Sequence, residues 1–333
     1  MYKSILFTHD DMDGAGCRII YTLAHQHQKF GEEYFFLNCS NNSVDDDVIN
    51  MMSSGNIDPK ITHVIFGDIS ASVPVLQKLS DAGYNVDIFD HHRTNFGAQQ
   101  VFPNAQIIPE NALGVMQSGT SIMYQHYSQI AEDHPSDPRG TYFSKKGNQK
   151  ILSIFVDTVR SYDTYEWKTT NNILAKQLQT LFFLLGMERF CNRYIEAITN
   201  SSGEDLITQA DMDFVLAKIE SEQKTIDNFT PDDVFQIDVR GYNCALVLTT
   251  KGASISELAY QFLTKYPEFD MMIGFSLVNN GKFEMRTVRD DIDLGGIIAA
   301  PIGGGGHPKA AGAPLPLDTS NMLIDMIIDV LNS

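Results

Sequence analysis

No stretch of this 333-residue chain approaches the roughly 18 apolar residues that a membrane-crossing helix requires. The longest apolar runs, 181–186 and 297–302, are far too short, and His9, Asp10, Asp11 and Asp13 interrupt any leader-peptide core. Cysteine is scarce as well. Cys17, Cys39, Cys191 and Cys244 stand far apart with no C-x-x-C pair, which excludes a zinc knuckle and a disulfide framework and suits a reducing cytoplasm. Positive charge is the third shortage. Lys and Arg total 24 against 42 Asp and Glu, a net charge of −18, and Lys145-Lys146 is the best basic cluster. A protein that grips long nucleic acid through its phosphates normally carries a basic stripe. Neither a membrane nor a long nucleic acid is therefore expected as the main partner, and the expected location is cytoplasmic.

At 43% hydrophobic residues the chain is too apolar for wholesale disorder, and its length allows about two domains, each with its own core. In the first half, short runs at 4–8, 34–38, 62–67 and 85–89, rich in Ile, Val and Phe, read as buried strands. Helical patterns at 16–28, 45–52 and 73–83 lie between them, the last opened by Ser72 with Pro74 in its first turn. This alternation predicts an α/β fold with a doubly wound parallel sheet, whose ligands collect at the carboxyl ends of the strands. Further helices are expected at 118–132, 150–162 and 171–185, with a polar insertion at 133–149. Ser201-Ser202-Gly203 punctuates the chain, and 204–229 reads as a long amphipathic helix. After Thr230-Pro231, strands at 234–239, 244–249, 271–278 and 282–288 and helices at 254–265 and 321–331 form a mixed α/β unit, with a hairpin signal at Asn280-Gly281. The expected organisation is a larger domain over 1–203, a connecting helix over 204–229 and a smaller domain over 230–333.

The acidic residues recur in a pattern. His9-Asp10-Asp11-Met12-Asp13-Gly14 follows the first strand directly. An EF-hand loop is excluded, because His9 would hold its first position and Ile20 the position that needs a bidentate Glu. The plain alternative is a polar turn whose Asp caps the next helix. Asp68 ends the third strand and Asp90-His91-His92 the fourth. Asp157 lies inside the apolar run Ile154-Phe155-Val156, where a carboxylate needs a partner; Arg160, one turn on, is the alternative to a metal. Six side chains, His9, Asp11, Asp13, Asp68, His91 and Asp157, can supply two metal sites with one bridging Asp. Carboxylate with imidazole and without thiolate favours two Mn²⁺ ions, with Mg²⁺ or Co²⁺ as substitutes. Such a pair clamps the attacking and leaving oxygens of phosphoryl hydrolysis. In the second half, Gly303-Gly304-Gly305-Gly306-His307 precedes Pro308-Lys309-Ala310-Ala311-Gly312. Glycines there let backbone N–H groups approach a phosphate, and Arg286 offers a bidentate fork to one.

Taken together, these motifs resemble the DHH/DHHA1 phosphoesterase family over essentially the full length. His9-x-Asp11-x-Asp13-Gly14, Asp68, Asp90-His91-His92 and Asp157 look like the family's four metal motifs in order, and 303–312 looks like its DHHA1 signature. Within the family, 9–17, Ser118-Gly119-Thr120-Ser121 and the run 159–167 look most like the nanoRNase (oligoribonuclease B) branch. The resemblance implies that His9, Asp11 and Asp68 hold one metal, and Asp13, Asp68, His91 and Asp157 the other. It implies that His92 contacts a phosphate oxygen, that Asp90 orients a neighbouring imidazole, and that Arg286, Gly304, Gly305, Gly306 and His307 grip substrate. The activity implied is hydrolysis of short oligonucleotides or dinucleotides to nucleoside 5′-monophosphates, with a homodimer allowed. Rival readings are a 3′-phosphoadenosine 5′-phosphate phosphatase, a cyclic or linear dinucleotide phosphodiesterase, a RecJ-like single-strand exonuclease, or a nucleotide-binding regulator without activity.

Overall fold

The computed structural model describes all residues except 145, 201–205, 249–254, 277–281 and 316–333, and the side chains of 146–149. The expected turn at Asn280-Gly281, the expected helix at 321–331 and the Ser201-Ser202-Gly203 break lie outside the described residues. The chain divides into two compact units, Met1–Leu216 and Ala217–Ser333.

The first unit is built on β1 (Ser4–His9), α1 (Met12–His25), β2 (Tyr34–Cys39), α2 (Val44–Ser53), β3 (His63–Gly67), α3 (Val73–Ala82), β4 (Asn85–Asp90), α4 (Ala98–Val101) and β5 (Gln106–Ile107). All neighbouring strands pair parallel, in the order β2-β1-β3-β4-β5. Reversal of strand order beside β1 is the doubly wound arrangement, and it opens a crevice at the carboxyl ends. Phe7 and Phe66 stack on adjacent strands at 5.4 Å and, with Ile5, Val64 and Ile88, fill one face of the sheet.

On the other face α1 and α5 (Gly119–Asp133) lie against the strands, while α6 (Thr141–Ser144), α7 (Lys146–Asp163) and α9 (Ile173–Thr199) pack on these helices and α8 (Glu166–Thr170) packs on α7 and α9. Ser118 caps α5 by accepting from the Ser121 amide, and the Ser121 hydroxyl returns a bond to the Ser118 amide. The segment expected as a polar insertion is instead packed. Phe143 is fully buried with its ring 5.6 Å from Tyr127, and a side chain at Gly140 would strike the Ala131 backbone at 2.7 Å. Polar composition hid one aromatic anchor. In α9 the helix continues to Thr199, past the expected end, with a break at Gly186 where φ is 72°.

α10 (Gln209–Asp227) runs through the division between the units. The second unit contains β6 (Phe235–Val239), β7 (Tyr242–Leu248), α11 (Ile255–Lys265), β8 (Met271–Ser276), β9 (Lys282–Arg286), β10 (Gly305–His307) and β11 (Ala310–Pro314). Its sheet runs β10-β11-β9-β8-β7-β6 and is antiparallel except for β7 with β8, which α11 connects. The glycine run has a packing reason here. A Cβ at Gly304 would lie 2.1 Å from the Gly312 carbonyl oxygen, and one at Gly295 would lie 2.3 Å from that of Gly306. Among the described residues, no helix is long and apolar enough to cross a membrane.

Candidate functional site

Three strand ends deliver the site. β1 ends at His9, β3 hands over to Asp68, and β4 ends at Asp90. The Thr8 hydroxyl donates to the carbonyls of Gly14 and Gly67, at 2.9 and 3.0 Å, and so fixes the first turn against the third strand. Gly14 is required at that turn, since a Cβ there would sit 2.0 Å from the His9 carbonyl oxygen. Asp68 has φ 58°, in the left-handed region that Asp and Asn adopt more readily than most residues.

Asp11 caps α1, accepting from the Gly14 amide at 2.9 Å, while its other oxygen lies 2.8 Å from His9 Nδ1. The capping and ligand readings of this turn are compatible, because the two oxygens face different groups. His9, Asp11 and Asp68 bring one ligand atom each within 4.8 Å of one another, and Asp13, His91 and Asp163 do the same. Asp68 touches both groups: Oδ2 lies 3.8 Å from His9 Nδ1, and Oδ1 lies 3.2 Å from His91 Nε2.

The amino end of α5 completes the site. Gly119 and Thr120 donate their amides to the two oxygens of Asp13 at 2.6 and 3.0 Å, and the Thr120 hydroxyl donates to the Asp13 carbonyl. These contacts anchor a carboxylate at the positive end of a helix. Gly119 allows the approach, as a Cβ there would meet Asp68 at 2.7 Å. Sequence reading found Ser118-Gly119-Thr120-Ser121 and gave it no role; a small residue just past a helix cap was the available signal.

Asp157 is not brought to the site. Its side chain is 65% exposed and accepts from Arg160, whose guanidinium also reaches the Met116 carbonyl and Glu166. Asp163, the last residue of α7, takes the place expected of it, with Oδ2 3.3 Å from His91 Nε2. Helical phase explains the correction. Leu152, Phe155, Val156 and Val159 are the buried stripe of α7, and Asp163 continues it four residues beyond Val159. Asp157 points away.

Asp90 is a positioning carboxylate. Oδ1 accepts from the His91 and His92 amides at 2.7 and 3.1 Å and lies 2.8 Å from His92 Nδ1, while Oδ2 accepts from Asn95 at 2.5 Å. Burial opposes its charge, but His92, His91 and these donors outweigh burial and hold its pKa below the usual carboxylate range. Burial likewise opposes charge on His92, and Asp90 overcomes it and raises the imidazole. For His9 burial again works against the cation, yet Asp11, with Asp10 and Asp163 behind it, lifts the pKa to about 9. Burial, together with the neighbouring His92, lowers His91 to about 4.

Asp68 and Asp163 are both pushed well above the usual range, first by burial and then by Asp13 and Asp11. Their Oδ2 atoms are buried without a hydrogen-bond partner among the described residues. Packed carboxylates whose charge is disfavoured for want of a positive neighbour, with two unsatisfied oxygens, fit divalent cations. Oxygen and imidazole donors without thiolate suit Mn²⁺ or Mg²⁺.

In the second unit, Arg286 donates from Nε to Ser256 at 2.9 Å and from Nη1 to the Met285 carbonyl at 2.9 Å. Gly305, Gly306 and His307 form β10, paired with β11, and Gly304 precedes it. Arg289 pairs with Asp291 and Asp270, and Lys309 with Asp290.

No family model matches the chain. It is 27% identical over 323 aligned residues to oligoribonuclease NrnB of Bacillus subtilis (strain 168), an alignment covering 93% of this chain and 72% of that protein. The fold superimposes on RecJ of Thermus thermophilus, solved in complex with Mn²⁺, with a TM-score of 0.52 and 11% identity. That overlay covers 97% of this chain and 51% of RecJ. The chain is thus similar in sequence to an oligoribonuclease and in fold to RecJ, which agrees with the DHH resemblance of its motifs. Within the site, Asp90-His91-His92 divides its work. Asp90 organises the turn, His91 faces the buried carboxylates, and His92 is held through Nδ1.

Proposed function

We propose that this protein is a metal-dependent phosphodiesterase that hydrolyses short oligonucleotides and dinucleotides to nucleoside 5′-monophosphates. The observation that carries the reading is the contact of Asp68 with two ligand groups, as a member of His9–Asp11–Asp68 and 3.2 Å from His91 of Asp13–His91–Asp163. Similarity to an oligoribonuclease along 93% of the chain supports the substrate class, and the net charge of −18 fits short substrates over a long phosphate track. His9, Asp11 and Asp68 would hold one divalent cation; Asp13, Asp68, His91 and Asp163 the other, with Mn²⁺ preferred. Cations held there would supply charge neutralisation at a phosphodiester and a lowered pKa for water.

The chain's own groups divide the remaining work. Asp90 keeps His92 oriented and favours its charged form, so His92 would donate to a non-bridging phosphate oxygen where negative charge builds. The two α5 amides on Asp13 hold that carboxylate in place as substrate enters. Arg286 would meet a terminal phosphate with Nη2, which makes no hydrogen bond among the described residues.

The test is incubation with Mn²⁺ of a dinucleotide RNA, a long RNA, a single-stranded DNA and 3′-phosphoadenosine 5′-phosphate, with chromatography of products and a chelator control. Fast release of monophosphates from the dinucleotide, with little attack on the long strands, is expected. Preference for the long DNA, or no hydrolysis of any phosphodiester, would overturn the reading.

A further inference from the structure

Beside Asp163 the chain carries a structure that the ligand groups leave unused. Tyr162 and Trp167 stack with ring centroids 5.8 Å apart and planes 11° from parallel. Lys168 lies 5.4 Å and Lys176 5.9 Å from the Trp167 ring, so two cations of a cation-poor chain converge on one indole. Tyr165, between Tyr162 and Trp167 in sequence, is 38% exposed, with Lys168 5.5 Å from its ring.

This segment is held in an unusual backbone. Tyr165 and Asn171, neither a glycine, bracket α8 with φ of 61° and 53°. Asn171 takes left-handed backbone readily, but at Tyr165 it is costly and persists where surrounding contacts enforce it. Arg160 enforces it here. Its guanidinium, 12% exposed, ties Glu166 at the start of α8 to Asp157 in α7 and to the Met116 carbonyl.

We propose that Trp167, stacked on Tyr162 and flanked by Lys168 and Lys176, is a stacking platform for a nucleobase of the substrate whose phosphodiester lies at the Asp68 cluster. The inference rests on the phosphodiesterase reading and names a base-recognising element within it. Reach is sufficient, because Trp167 is four residues from Asp163 and those residues span no more than about 14 Å. The chemistry is selective for nucleotides. A bare phosphate would have no use for parallel rings, and a purely apolar ligand none for ammonium groups, whereas a nucleotide offers a flat ring and an anion together. The platform reads a π-face and not a base edge, so it would tolerate every base.

Trp167 is the chain's single tryptophan, which makes intrinsic fluorescence a residue-specific probe. A dinucleotide with methylene in place of the bridging oxygen is titrated at constant Mn²⁺, beside an analogue lacking one base. Hydrolysis of the natural dinucleotide is then followed in wild type, Trp167→Ala and Trp167→Phe. The dinucleotide is expected to quench fluorescence saturably and at least one abasic analogue to do so weakly. Trp167→Ala should raise KM by roughly 5–150-fold with kcat largely kept, and Trp167→Phe should recover most of the loss. Unchanged fluorescence at saturation, or an unchanged KM in Trp167→Ala, would overturn the inference while hydrolysis by wild type left the phosphodiesterase reading standing. Saturable quenching with no hydrolysis of any phosphodiester would do the reverse.

Discussion

Asp68→Asn should make the metal-free protein more stable while removing its response to metal. Asp68 is buried, its carboxyl oxygens lie among those of Asp11, Asp13 and Asp163, and its pKa is pushed well above the ordinary carboxylate range by burial and those neighbours. The ligand atoms of Asp11 and Asp68 are within 4.8 Å. Two unit charges at that separation repel by about 3 kcal/mol at an effective dielectric near 20. Burial and that repulsion disfavour the ionised form of Asp68 in the metal-free fold, whereas the unfolded chain ionises it near pH 3.9, so the proton it takes up on folding costs stability as pH rises.

Asparagine keeps the shape, accepts the left-handed backbone and needs no proton. Removing that repulsion should gain up to about 3 kcal/mol, which for a unit of this size is up to roughly 12 °C in Tm. The sign with pH follows from the raised pKa. In wild type with chelator, the Asp68 contribution is fully present below about pH 4 and is lost as pH rises toward its folded pKa, and the Asn profile should lack that fall. Metal acts oppositely. Mn²⁺ at a hundred times its Kd stabilises wild type by about 2.7 kcal/mol, and Asp68→Asn should lose most of that. Scanning fluorimetry at several pH values, with chelator and with Mn²⁺, reads every arm. An Asn variant that melts at or below wild type in chelator, or keeps the full Mn²⁺ shift, would refute the reasoning.

Asp163→Asn should lower Mn²⁺-dependent turnover at least a hundredfold and reduce Mn²⁺ bound in equilibrium dialysis, whereas Asp157→Asn should keep bound metal and stay within about threefold in turnover; the reverse pattern would return the ligand role to Asp157. His25 tests a buried imbalance far from that chemistry. Burial lowers its pKa to about 4 against an ordinary value of 6.5, and Nδ1 lies 2.8 Å from the Tyr21 carbonyl among tyrosine rings. The folded protein thus binds fewer protons than the unfolded chain between those values, so stability is present above pH 6.5 and lost as pH falls toward 4, by up to about 3 kcal/mol. Urea denaturation of wild type and His25→Phe at pH 7.5 and 4.5 should show the smaller loss in the variant, and equal losses would remove His25 from the account.

The parallel sheet and its three ligand-bearing strand ends could be read directly, because buried strands are continuous apolar runs and the first polar residue after each falls at the carboxyl edge. His9, Asp68 and Asp90 needed nothing more. Asp157 and Asp163 show the limit. Both are acids near apolar residues, and only the phase of the buried stripe separates them, which requires knowing which face of α7 packs on α9, α1 and α5. Phe143 was masked by polar neighbours that supply no periodicity. The platform partners and the Arg160 ties depend on backbone reversals at Tyr165 and Asn171, neither a residue that announces a left-handed turn as glycine does.

The hold of α5 on Asp13 bears on how the protein folds. Gly119 and Thr120 lie more than a hundred residues from Asp13, and the ligands of the second group come from α1, β4 and α7. No local fragment can assemble this centre. It closes only when the long intervening loops have already been ordered, so it belongs to the late, high-contact-order part of folding. The amides of residues 119 and 120 are therefore natural reporters in hydrogen exchange. Their protection should track the integrity of the whole first unit, and partial openings that release α5 would disarm the protein before it unfolds.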